Sequence, residues 1–251
     1  MTISLEWSIL LPALAAGIAV LASHVPLGMR VLERGIIFID IAIAQFAGLG
    51  VILAEFAGWE GGWQRQLSAL GLAALGASLL HACERRWHRL QEAIIGVSFV
   101  LVASLGILLL AHDSHGGEHL REILVGQILW TGWSDLPWLA AINALVLAAW
   151  YGGLRRSQLG FYLLFAVCIT ASVQIVGVYL VFASLIVPAL AAQAFSGRRA
   201  LVAAYLTGVA GYAFGLGASA LFDLPSGAMI VCTIVLAGAV VAMGSRLGTR
   251  T

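Results

Sequence analysis

Lysine is absent from this chain, and charge of either sign is scarce. Only 10% of the 251 residues are charged, against roughly a quarter in soluble domains, while 61% are hydrophobic. A soluble protein of this size has nowhere to hide so much apolar surface. Composition therefore selects a polytopic membrane protein and leaves no room for a soluble catalytic domain. A net charge of +1 offers no basic surface to nucleic acid. The three cysteines, Cys83, Cys168 and Cys232, form no CxxC pair, so neither a disulfide nor a zinc knuckle is indicated. No P-loop, HExxH or GxSxG occurs. Any energy source must be an ion gradient or another polypeptide.

The longest gap in charge is also the most informative. Positions 157–197 carry no formal charge, and Arg155/Arg156 and Arg198/Arg199 bound the gap. Its 41 residues are twice the roughly 20 that one helix needs to cross a bilayer. With basic residues on the cytoplasmic side, the chain must enter and return, with Gln174 and Gly177 near the apex. Further apolar runs fall near 7–23, 36–58, 67–82, 93–111, 135–152, 200–222 and 226–244. Met1 to Leu21 carries Glu6 and Trp7 and lacks a basic start, so it reads as a first span and not a cleaved signal. The segments between runs place 11 of the 13 arginines on one side. Nine crossings explain that partition, although the 159–174 run is short for a full span, as for a tilted or broken helix with a turn over 172–178. The expected fold is all-α: one transmembrane bundle over residues 1–251, with eight or nine spans and a broken-helix hairpin near 159–195. Gly211, Gly215, Gly217, Gly71 and Gly76 read as close helix packing. Pro188 predicts a bend or short helix near the cytoplasmic surface, and Asp223 to Gly227 a turn before the last span.

Few polar groups remain to carry chemistry inside lipid. Asp40 lies within an apolar segment, Ile36 to Gln45, where a carboxylate is expensive unless it faces the bundle, a cavity or a partner. Two readings stay open: a cation-binding group in a transport pathway, or an acid paired with Arg34 or Arg30. Gln45 and Gln174 are the other pathway candidates. Glu55 and Glu92 also fall near membrane depth. On the outer side, His112, His115, Glu118 and His119 form a polar loop. Imidazole and carboxylate suit zinc and related ions, so the loop reads either as flexible metal capture or as a solvated connection. His24, His81 and His88 lie beside arginines and read as headgroup or partner contacts.

Four stretches, in order, resemble one family. Val176-Gly-Val-Tyr-Leu-Val-Phe-Ala-Ser-Leu-Ile-Val-Pro-Ala-Leu-Ala-Ala192 is similar to the signature of the zinc/manganese-type ABC importer permeases. Arg34 to Asp40, Gly126-Gln-Ile-Leu-Trp130 and Asp223-Leu-Pro-Ser-Gly-Ala-Met-Ile-Val231 fit the same family, so the likeness covers nearly the whole chain. The resemblance implies a homodimeric permease in the cytoplasmic (inner) membrane of a bacterium. It implies two cytosolic ATP-binding cassette subunits that bind and hydrolyse ATP, and an external protein that delivers zinc, manganese or iron(II), zinc being favoured. The metal would be cargo and not a resident cofactor, and the chain itself would not be an enzyme. Pro188, Ala189, Arg198 and Arg199 would belong to the segment coupled to the ATPase. Asp40 would occupy the family's transmembrane acid position. The sequence departs from the family twice. Ala44 stands where many members place a histidine one turn after the aspartate. The acidic stretch expected after Arg156 is replaced by Ser157-Gln-Leu-Gly160. The alternative reading is an ion-coupled secondary transporter, but such carriers are often built from inverted repeats, and none is visible here.

Overall fold

The computed structural model describes residues 7–59, 61–111, 117 and 124–248. Among them are nine α-helices and no strand. They are α1 (Trp7–Arg34), α2 (Ile39–Phe56), α3 (Gly62–Arg86), α4 (Gln91–Leu110), α5 (Leu136–Tyr151), α6 (Gln158–Val176), α7 (Val178–Ala191), α8 (Gly197–Phe222) and α9 (Ser226–Gly248). Seven are long and apolar enough to span a bilayer; α5 and α7 are shorter, at 16 and 14 residues. The all-α bundle expected from the charge pattern is the fold found. The helices form two groups. α2 packs on α3, α4 and α6, while α7 packs on α1, α8 and α9. α1 also touches α5 and α6, which ties the groups together.

Both ends of the bundle keep the charge partition. Arg30, Arg155, Arg156 and Leu201 border one groove at the inner end. Glu55, Arg65 and Asp135 gather at the other end. Trp7, Trp59, Trp63, Trp130 and Trp133 are all exposed at or beside outer helix ends, as interfacial indoles are in membranes. The outward face of α4, with Val97, Val100, Leu101 and Leu108, is bare hydrocarbon. In water that stripe would be a liability; against lipid tails it costs nothing.

The uncharged stretch does double back, but more tightly than the turn expected over 172–178. α6 stays helical to Val176 and is a full-length span of 19 residues. Gly177 alone reverses the chain, at φ 79° and ψ 163°. Only glycine tolerates that backbone, and it is crowded as well. A Cβ there would lie 2.3 Å from the backbone nitrogen of Gly126. Gln127 N–H donates to the Ile175 carbonyl at 3.2 Å. The segment entering from the outer loop is thus pinned against the hairpin apex. Gly211 and Gly215 do mark a close crossing, since a Cβ on them would strike Ile234 and Ile230 of α9. Gly71 and Gly217 face open space instead.

α1 is the largest departure from expectation. It does not stop near residue 23 but runs to Arg34, through Ser23, His24 and Pro26. These polar and helix-breaking residues are buried, and the helix around them is tied to its neighbours. Ser23 Oγ contacts Asn143 Oδ1 of α5 and, at 3.1 Å, Cys168 Sγ of α6. His24 Nδ1 meets the Val20 carbonyl at 2.8 Å. His24 is therefore a core residue and not a headgroup contact. Pro26 lacks the N–H that would bond the Ala22 carbonyl four residues back. The Tyr205 hydroxyl, from α8, donates to that carbonyl at 2.8 Å. Repair of this kind is how proline is tolerated inside membrane helices. Tyr205→Phe leaves the carbonyl orphaned and is expected to cost about 1–3 kcal/mol. The check is thermal unfolding of the purified variant in detergent, with Tyr179→Phe, at an exposed position, as control.

Candidate transport pathway

A cavity opens at the outer end. Its volume is about 530 Å³, and Val51, Glu55, Gln127, Asp135 and Gln174 help to line it. At its rim Arg65 and Glu55 approach to 3.8 Å, a half-exposed pair of little energetic consequence. The cavity's floor on α2 is Ala47 and Gly48. Asp40, Ala44, Ala47, Gly48, Val51 and Glu55 recur at intervals of three and four residues, so they share one face of α2. Asp40 therefore lies below the cavity floor on the same stripe, about 10 Å along the axis. On α2 itself, the stripe between Asp40 and the cavity floor carries only the small, buried Ala44.

At the inner end five helix ends bring polar groups together. They are Arg34 of α1, Asp40 of α2, His81 and Glu84 of α3, Gln91 and Glu92 of α4, and Tyr162 of α6. Gln91 Nε2 donates to the Tyr162 hydroxyl at 2.8 Å. His81 Nδ1 lies 3.8 Å from Glu84 and its ring packs on Tyr162. The Arg34 guanidinium sits 4.4 Å over the Phe161 ring, a cation–π contact. Asp40 is 1% exposed. Neither of its oxygens has a hydrogen-bond partner among the described residues. The only groups that bear favourably on its charge are backbone N–H groups of its own turn, at Asp40 and Ile41. Arg30 is taken by Glu33 at 2.8 Å, and Arg34 by the Phe161 ring. The ion pair that the sequence allowed for Asp40 is not formed with either arginine.

The other candidates scatter. Gln45 is half-buried and lies about 140° around α2 from Asp40, away from the stripe. Gln174 is exposed and lines the outer cavity. His112, His115 and His119 lie outside the described residues. Pro188 and Ala189 are buried in α7. Ala189 borders a groove of about 200 Å³ at the inner end, with Leu32, Glu33, Ala192, Phe195 and Ala200. Pro188 does not end its helix, which runs on to Ala191 and then tightens into a 3-10 turn. Arg198 and Arg199 are exposed in the first turn of α8.

The family model of the ABC 3 transport family matches residues 6–157 and 152–245. The chain belongs to the ABC 3 transport family. It is 27% identical, over 90% of its own length and 84% of the relative's, to the manganese transport system membrane protein MntC of Halalkalibacterium halodurans. Its fold is that of a chain in PsaBC from Streptococcus pneumoniae, solved with a Fab. The TM-score is 0.71 at 22% identity, covering 93% of this chain and 89% of that one. As a member of this family the chain is a multi-pass membrane protein of an ABC importer, as the stretches at Val176 and Asp223 implied.

Sequence reading passed over Glu84, Gln91 and Tyr162. Glu84 is masked by the adjoining Arg85 and Arg86, which look like a solvated cluster. It also passed over the network of Ser23, Asn143 and Cys168, whose one signal is a lone asparagine in the 135–152 run. The geometry predicts a sharp boundary along α2. In a background without native cysteines, Val51→Cys should react with an impermeant maleimide from outside, and Ala44→Cys should not. Gel-shift labelling in right-side-out vesicles checks this.

Proposed function

We propose that this chain is the membrane permease subunit of an ATP-driven importer of divalent metal ions. It works in the cytoplasmic membrane of a bacterium as a pair of copies, with two cytosolic ATPase subunits and an external metal-binding protein. The observation that carries the reading is Asp40. A carboxylate sealed from solvent and matched by no cation is costly in its charged form, because removing the charge from water costs several kcal/mol. It becomes useful when the missing partner is the cargo. Its place on the α2 stripe, under a cavity open to the outside, supports an ion path along that face. A metal delivered at the outer mouth would pass Gln174 and Val51 and then meet Asp40 once the helices packed on that face of α2 draw back from it.

Energy must arrive from outside the chain, which has no nucleotide-binding motif. The groove around Ala189 and Ala200 supports ATPase coupling at the segment from Pro188 to Arg199. It joins the ends of α1 and α7 to the start of α8, so a push there reaches the helix whose end holds Arg34. The family resemblance covers zinc, manganese and iron(II), and the relative named above is a manganese protein. The choice among them turns on the donor atoms around Asp40.

The complex, reconstituted in proteoliposomes with its ATPase and binding protein, should accumulate divalent metal when ATP is supplied. Asp40→Asn keeps the shape and removes the charge, and should lower uptake at least tenfold. Unchanged uptake in that variant would remove Asp40 from the pathway.

A further inference from the structure

We propose that the groove at the inner end, between α1, α5 and α8, binds an anionic phospholipid whose headgroup phosphate is held by Arg155 and Arg156. The inference goes beyond the permease reading and does not depend on the cargo. The groove has a volume of about 430 Å³, within the roughly 300–1,000 Å³ of small-molecule sites. α1 packs on both α5 and α8 and forms the floor between them. One turn deeper than Leu201, the Tyr205 hydroxyl bonds the Ala22 carbonyl of α1 and closes the cleft toward the membrane interior.

The lining is amphipathic. Pro26 and Met29 of α1, Trp150 of α5 and Leu201 of α8 supply apolar surface, and the arginines stand beside them. Glu33 also lines the groove, but Arg30 takes it at 2.8 Å. Arg155 and Arg156 have no carboxylate partner among the described residues. The stretch that follows them, Ser157-Gln-Leu-Gly160, carries no acid. Two positive charges are therefore left unbalanced at the mouth. Both sit in an ordered turn. Gly153, at φ 115°, takes the chain out of α5, and the Arg156 N–H donates to the Gly153 carbonyl at 3.0 Å. Ser157 then caps α6, its Oγ accepting the Gly160 N–H at 3.1 Å. The Arg155 guanidinium carbon lies 6.0 Å from the centre of the Tyr151 ring, a wall of the same groove.

Two guanidinium forks match the oxygens of a phosphate. Depth favours a lipid as its source. The basic ends of spans lie at the level of the cytoplasmic headgroups, where anionic lipids gather at basic clusters. Tyr151 and Leu154, exposed beside the arginines, place an aromatic ring and an aliphatic chain at that level. A free phosphate ion gains nothing from Pro26, Met29 and Leu201, whereas the glycerol and upper acyl chain of a lipid cover them.

The bland alternative is a pair of solvated arginines that only orient the chain. The complete complex, in detergent with equal amounts of phosphatidylglycerol and phosphatidylcholine of matched acyl chains, separates the two by native mass spectrometry. Only the assembled mass is scored. The unaltered complex should retain phosphatidylglycerol about tenfold over phosphatidylcholine. Arg155→Gln with Arg156→Gln should abolish that preference. Leu201→Trp fills the groove without changing charge, and should abolish it too. Arg85→Gln with Arg86→Gln removes as much charge elsewhere on the inner surface and should leave it unchanged. Equal retention of both lipids by the unaltered complex would overturn the proposal. So would an equal loss of preference in the Arg85/Arg86 variant, which would mark diffuse attraction, or a preference that survives in both groove variants. Loss of the ATPase from the Arg155/Arg156 variant, with lipid preference intact, would assign those arginines to a protein contact and overturn it as well.

Discussion

Inside a bilayer no water arrives to satisfy a polar group, so each donor, acceptor and charge must find its partner within the protein. That constraint explains much of this structure, and Asp40, where no side chain meets it, is the place the proposed function turns on. The proline in α1 orphans one carbonyl, and Tyr205 reaches across from α8 to bond it. Ser23, His24, Asn143 and Cys168 close on one another between three helices. Ser184 of α7 and Tyr212 of α8 share a hydrogen bond at 2.9 Å. Each is a local repair that lets an apolar helix carry a polar residue. Asp40 has no such repair, although two arginines lie within ten residues of it in sequence.

The rest of the architecture makes sense as the means of holding that exception in place. On the side of Asp40, α2 itself presents small residues, Ala44, Ala47 and Gly48, between the acid and the outer cavity. The apex of the α6–α7 hairpin is locked by the contact of Gly177 with Gly126. That lock ties the outer wall of the cavity, with Gln174, to the segment that closes the outer loop. At the other end the same hairpin finishes at Pro188 and Ala189, beside the groove where α1 and α8 meet. One element therefore spans both the mouth of the proposed path and the surface where force would be applied.

Much of this was legible in the sequence, for a simple reason. Arginines mark one surface and uncharged runs mark spans, so the all-α bundle, its apolar spans and the return of the 157–197 stretch follow from charge alone. Asp40 was legible because a carboxylate among isoleucines has no inexpensive explanation. Contacts between distant spans were not legible. Nothing in sequence ties Tyr205 to Ala22, or Asn143 to Ser23, since the pairing depends on how helices are packed. Glu92 stood out only as an acid at the start of a span. Its place beside Asp40 follows from the packing of α2 on α4. The length of α1 was misjudged because Ser23, His24 and Pro26 look like the end of a span until their partners are seen.

The central claim is that the partner missing from Asp40 is the transported ion. Anomalous diffraction at the manganese edge, from crystals of the complete complex grown with manganese(II), tests it most directly. The account predicts a peak within coordination distance of the Asp40 carboxylate. A complex without any peak there, with Arg34 swung from Phe161 onto Asp40, would contradict it.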